Sequence, residues 1–86
     1  MPKYEITFAR SARKELEALS TGDINRIFPK IESLSVEPRP AGCRKLIGNK
    51  NLWRIRVGVY RVVYSVDDTR HLVDIIAVRD RKEAYK

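Results

Sequence analysis

The residues with most chemical content are three arginines at strand spacing, Arg54, Arg56 and Arg61, in the run Trp53-Arg54-Ile55-Arg56-Val57-Gly58-Val59-Tyr60-Arg61. Gly58-Val59 suits a two-residue hairpin turn of type II′, with glycine at its first central position. That turn pairs Val57 with Tyr60, Arg56 with Arg61, Ile55 with Val62 and Trp53 with Tyr64. Alternation along the strands then sends the apolar residues to one face and the three arginines to the other. Two arginines directly across a strand pair repel each other. Their presence points to an anion that neutralises them, and the planar guanidinium fork suits phosphate because it binds two oxygens at once. The alternative is a solvated face whose arginine stems merely cover the sheet.

The surrounding charge supports a polyanion. Between Pro38 and Val66 stand Arg39, Arg44, Lys45, Lys50, Arg54, Arg56 and Arg61 with no acid among them. Outside that window Lys and Arg balance Asp and Glu, so the whole net charge of +7 sits in one third of the chain. Such a segment is the electrostatic footprint of a nucleic-acid partner, and Arg44, Lys45, Lys50, Arg54 and Arg79 are its candidate contacts. A third strand returning toward the Gly58 turn brings Arg79, Arg81 and Tyr85 near Arg56 and Arg61. If the tail is helical, Arg81 and Tyr85 share a face, and a tyrosine there can stack on a nucleobase. His71 follows the Asp67-Asp68-Thr69 turn, at the far end of the strand from Arg61, too remote to serve as a base. Glu15, Glu17 and the other acids fall on solvated helical faces, and Trp53 and Tyr64 read as core. One cysteine and one histidine make no ordinary zinc site, so neither metal nor cofactor is expected.

The elements that must position these residues follow from periodicity. Residues 3–8 alternate as a strand, and from about Ala9 to Leu19 the apolar positions Ala12, Leu16 and Leu19 take helical spacing. Ile24, Ile27, Phe28, Ile31 and Leu34 mark a second helix ending near Val36, with Thr21 or Asp23 as its N-cap. Pro29 must kink that helix or sit in its first turn. Glu37-Pro38-Arg39-Pro40-Ala41-Gly42 is a stiff connector, after which Leu52–Val57, Tyr60–Val66 and Leu72–Val78 read as strands. Residues 79–86 are a short helix or a tail. The expected architecture is α+β, in the order β-α-α-β-β-β, with two N-terminal helices on one face of a mainly antiparallel four-stranded sheet.

A chain of 86 residues, 43% hydrophobic and 34% charged, fits one globular domain over 1–86. No apolar run approaches a membrane span, no signal-peptide core opens the sequence, and the lone Cys43 suits a reducing cytoplasm.

Lys45-Leu46-Ile47-Gly48, the run Trp53–Tyr64 and the ending Arg81-Lys82-Glu83-Ala84-Tyr85 resemble the RelE/ParE toxin superfamily across essentially the whole chain. The connector Glu37-Pro38-Arg39-Pro40 resembles the family's link between helices and sheet. The resemblance implies a toxin of a type II toxin–antitoxin system that cuts translated mRNA on the ribosome without a metal. It implies silencing by a cognate RelB-like antitoxin, in a hetero-tetramer or similar assembly. The family's catalytic positions fall on Arg56, Arg61, Arg81 and Tyr85, with Arg54 the second basic residue of the first hairpin strand. In the best-known member that strand pair is lysine. Arginine keeps its proton at any accessible pH, so Arg56 is a poor general base. The tail between Arg81 and Tyr85 is also shorter. Two other readings stay open: a ParE-like inhibitor of DNA gyrase without RNA cleavage, and a non-catalytic nucleic-acid-binding module.

Overall fold

The computed structural model describes residues 3–46, 48 and 51–80. Its elements are β1 (Glu5–Phe8), α1 (Arg10–Glu17), α2 (Thr21–Ser33), β2 (Arg44–Lys45), β3 (Leu52–Val57), β4 (Tyr60–Asp67) and β5 (Leu72–Asp80). The strands form one five-stranded sheet in the order β1-β5-β4-β3-β2, antiparallel except for the parallel β1–β5 pair. The expected α+β architecture is present. The sheet has five strands rather than four because Arg44-Lys45 adds a two-residue edge beside β3. So short a strand has no readable period of its own, and only the partner reveals it.

Only the second helix begins at a side-chain cap, since α1 follows Ala9, which offers none. The N-cap of α2 is Ser20, whose Oγ accepts from the Asp23 amide at 3.2 Å, one residue before the expected Thr21. Pro29 neither starts the helix nor ends it: it lies inside α2, at an exposed position, where it forgoes one intrahelical donor. Ala12 and Leu16 of α1 and Ile27 and Ile31 of α2 meet Ile55, Val57, Val62, Tyr64, Val66, Val73, Ile75 and Val78 in a single core. Tyr64 is fully buried and donates to the Pro38 carbonyl at 2.8 Å, which pins the connector to the middle of the sheet. Burial raises its phenol pKa, and Cys43 beside it adds to the shift. At the other side of the core the Tyr60 hydroxyl donates to Asp23 at 2.9 Å, joining β4 to the first turn of α2.

The hairpin register is the expected one at every pair from Leu52↔Ser65 to Val57↔Tyr60. Gly58 takes φ +61°, and Val59 stays out of the left-handed region, as a type II′ turn requires. β5 differs from the sequence reading in two ways. It runs on to Asp80, so Arg79 is a strand residue and not part of a tail. It also slips register: Tyr64 faces Ile75 whereas Val63 faces Ala77, which leaves Ile76 as the extra residue of a bulge. Without the bulge, alternation would put Arg79 on the helix-covered face and Val78 outside. With it, Val78 is buried and Arg79 stands opposite Arg61.

The Tyr64 hydroxyl is the link whose loss is easiest to isolate. Tyr64→Phe keeps the ring and leaves the Pro38 carbonyl without its donor, so urea denaturation should show a loss of about 1–3 kcal/mol with an unchanged m-value. An unchanged midpoint would mean that the connector is held by packing alone.

Candidate nucleic-acid interface

Opposite the helices, the sheet carries two rows of arginine. Register places Arg56, Arg61 and Arg79 side by side across β3, β4 and β5, and Arg44 beside Arg54 across β2 and β3. The buried neighbours Ile55, Val57, Val62 and Val78 fix this side of each strand as the open one. Val78 turns its amide away from β4, toward the sheet edge, so the adjoining Arg61–Arg79 pair is the hydrogen-bonded kind, with Cα atoms about 5.5 Å apart. The backbone of Arg61 therefore faces β5. Its pair with Arg56 is the closer, non-hydrogen-bonded kind, about 4.5 Å between Cα atoms. Like charges at those spacings cost stability. Arg56 is exposed, and Arg54 and Arg61 are half-buried, with the Arg61 Nε sheltered from solvent.

Not every basic residue of the charged segment faces outward. Arg39 makes two hydrogen bonds to Asp68, at 2.7 and 3.1 Å, and its guanidinium carbon lies 5.1 Å from the centroid of the Trp53 ring. Tyr4 donates to the same carboxylate at 2.7 Å. The Lys45 ammonium approaches the Trp53 ring at 5.9 Å, so Trp53 is a half-buried core residue capped by cations. Arg39 is thereby a clamp between the connector and the β4–β5 turn. Lys45 also faces the Trp53 side, away from the arginine rows. His71 lies beside Tyr4, with ring centroids 5.1 Å apart, at the end of the sheet away from the Gly58 turn. That is the position expected of it, at the far end of β4 from Arg61.

Glu15 is the residue that sequence reasoning misjudged. It was expected on a solvated face, yet its side chain is only 28% exposed. One carboxylate oxygen accepts from the Val78 amide at 3.0 Å and the other takes the Arg79 Nε at 2.8 Å. β1 ends its pairing at Ile75, so the rest of β5 has an open edge, which α1 covers. No periodicity could reveal this, because the contact spans from one helix to a bulged strand. Lys50, Arg81 and Tyr85 of the expected site lie outside the described residues. Among the described residues no group of three or more His, Cys, Asp and Glu could hold a metal ion, and no helix is long and apolar enough to cross a membrane.

Comparison with known proteins places this geometry in a family. The model of the ParE toxin of type II toxin–antitoxin systems matches residues 6–85. The chain belongs to the RelE/ParE toxin superfamily. It is 26% identical over 87 residues to a putative toxin RelE1 of Methanocaldococcus jannaschii, covering 98% of this chain and 97% of that one. The toxin fold superposes on the archaeal RelE–RelB complex of Pyrococcus horikoshii with a TM-score of 0.81 and 28% identity, over 92% of this chain and 96% of that chain. The isolated RelE toxin of E. coli gives 0.80 and 29%, over 95% and 90%. This protein is thus a toxin of a type II toxin–antitoxin system.

The Arg39 clamp holds the Asp68 carboxyl down at about 2, with the Tyr4 hydrogen bond adding to the effect. A depressed carboxyl stabilises the fold above its unfolded pKa of ~3.9 and loses that contribution as pH falls through about 2. Carboxyl-carbon NMR should find the Asp68 midpoint near 2 in the toxin and clearly higher in Arg39→Gln. An equal midpoint in both proteins would remove Arg39 as the cause.

Proposed function

We propose that the toxin is an endoribonuclease that cuts translated mRNA on the ribosome, with the Arg56–Arg61 and Arg44–Arg54 pairs as its phosphate-binding and charge-stabilising surface. The observation that carries this reading is the directly opposed pair Arg56–Arg61 beside Arg44–Arg54 on the sheet face turned away from the two helices. In the reaction the 2′-oxygen bonds to the adjacent phosphorus as the bond to the 5′-oxygen breaks, leaving a 2′,3′-cyclic phosphate and a 5′-hydroxyl. Arg56 and Arg61 stabilise the added charge on the phosphoryl oxygens, usually the largest single electrostatic contribution. Arg81 hydrogen-bonds the leaving oxygen or clamps the phosphate, and Tyr85 stacks on the base and orients the sugar. Arginines supply charge without a metal, but none of them readily accepts the 2′-hydroxyl proton. Free RNA is therefore a poor substrate, and the ribosome completes the alignment.

A cognate antitoxin is the expected partner, since the relatives from Pyrococcus horikoshii and Methanococcus jannaschii are RelE–RelB complexes. The toxin leaves an apolar recess between β1, α1 and α2, lined by Ile6, Phe8, Leu16 and Phe28, beside an exposed Val36. An amphipathic segment of an antitoxin fits that recess, and a hetero-tetramer is the expected assembly. A cytoplasmic location accords with a ribosomal target.

The ParE description of the matching family keeps a second reading in view, inhibition of DNA gyrase by binding. Primer extension on mRNA from a translating extract separates the two. Discrete cuts within translated codons, reduced at least 100-fold in Arg61→Ala and Arg81→Ala, are expected, on the order of what one lost electrostatic contact costs. Intact mRNA together with inhibited gyrase supercoiling would transfer the assignment to gyrase.

A further inference from the structure

On the open face, Arg79 has a carboxylate fixed against it. Glu15 reaches it from α1 with Oε2 at 2.8 Å from Nε, while Oε1 is held by the Val78 amide at 3.0 Å. The carboxylate is thus anchored independently of the ion pair: the backbone of β5 would hold it in place even if Arg79 were absent. This distinguishes it from an ordinary surface pair such as Arg13–Glu17, in which both side chains are largely exposed and only one hydrogen bond forms. The bulge at Ile76 completes the arrangement, since it turns Arg79 to the open side and the Val78 amide to the edge in the same step.

We propose that Glu15 is a built-in counter-anion that withholds Arg79 from phosphate, so that Arg79 adds no contact to the RNA-binding face. This rests on the reading of the open face as an RNA surface, and it replaces the sequence-based assignment of Arg79 as an RNA contact. The physical gain is twofold. Pairing Arg79 relieves the repulsion of a third guanidinium in the row, which would otherwise lie beside Arg61 in a directly opposed pair. It also weakens attraction to RNA in general, because each phosphate neutralised by a basic residue adds to affinity whatever the sequence. A toxin whose substrate is presented by the ribosome gains selectivity by binding free strands weakly.

The test is the salt dependence of binding to a short single-stranded 2′-O-methyl oligonucleotide, which cannot be cut because it lacks the attacking hydroxyl. Wild type, Glu15→Gln, the charge-neutral double variant Glu15→Gln/Arg79→Gln, and Arg61→Gln are compared by fluorescence anisotropy. Glutamine at 15 retains an oxygen for the Val78 amide, and protection of that amide from hydrogen exchange reports whether the edge stays intact. Glu15→Gln should bind more tightly, with a slope of log K on log salt steeper by about 0.7, one additional phosphate contact on a single strand. The double variant should return to the wild-type slope. A double variant whose slope is shallower than wild type by about 0.7 would show that Arg79 already binds phosphate and would overturn the proposal. An unchanged slope in Glu15→Gln with the Val78 amide still protected would overturn it as well. Loss of Val78 protection in Glu15→Gln would do the same, because the anchor would then need the charge of the ion pair. Arg61→Gln serves the underlying reading separately: if its slope equals that of wild type, the open face is not the RNA surface, whatever Glu15 does.

Discussion

Strand register is the constraint from which the rest of this structure follows. The sheet has a wet face and a dry face, and every residue of β3, β4 and β5 is assigned to one or the other by its pairing. A slip of one position would exchange the core for the arginines. Two devices prevent it. The Gly58-Val59 turn fixes β3 against β4, because only a primed turn matches the twist of the strands and only glycine takes its left-handed position without strain. The bulge at Ile76 then resets β5, so that Val73 and Ile75 on one side of it and Val78 on the other all reach the same core.

The cost of the design lies on the open face. Arginines opposed across adjacent strands repel, and a fold selected for stability alone would place uncharged residues there. The surrounding structure carries that strain with contacts that are themselves well satisfied: Tyr64 to the connector, Tyr60 to Asp23, and Arg39 and Tyr4 to Asp68. Three of these four contacts join the sheet to a helix or to the connector, and the fourth fastens the N-terminal segment to the β4–β5 turn. None of the four lies on the arginine face, and the strands beneath it are held from behind. The core and the concentrated positive charge thereby occupy opposite sides of one sheet.

The same segregation separates basic residues that the sequence groups together. Arg39 and Arg44 are five positions apart in one acid-free stretch, yet Arg39 serves Asp68 and Trp53, and Arg44 stands beside Arg54 on the open face. A basic stretch is thus a mixture of cations that fasten the connector and cations on the open face. Only the pairing partner tells them apart.

Much of the candidate site was legible in the sequence because it is local. The hairpin register needs only a turn and an alternating pattern on either side of it, so Arg56 opposite Arg61 followed from the residues between Trp53 and Tyr64. The two helices and the α+β order followed from apolar spacing, and the superfamily from the motif around the same turn. What the tertiary structure decided is everything that depends on contacts between distant segments. The two-residue β2 exists only because β3 lies beside it. The bulge falls in Ile75-Ile76-Ala77-Val78, a run so uniformly apolar that no alternation marks where the register changes. Glu15, sixty-four residues before Arg79, gained its role only when α1 was laid against the open edge of β5. Periodicity records which face of an element is buried; which neighbour that face meets is set by how the elements pack.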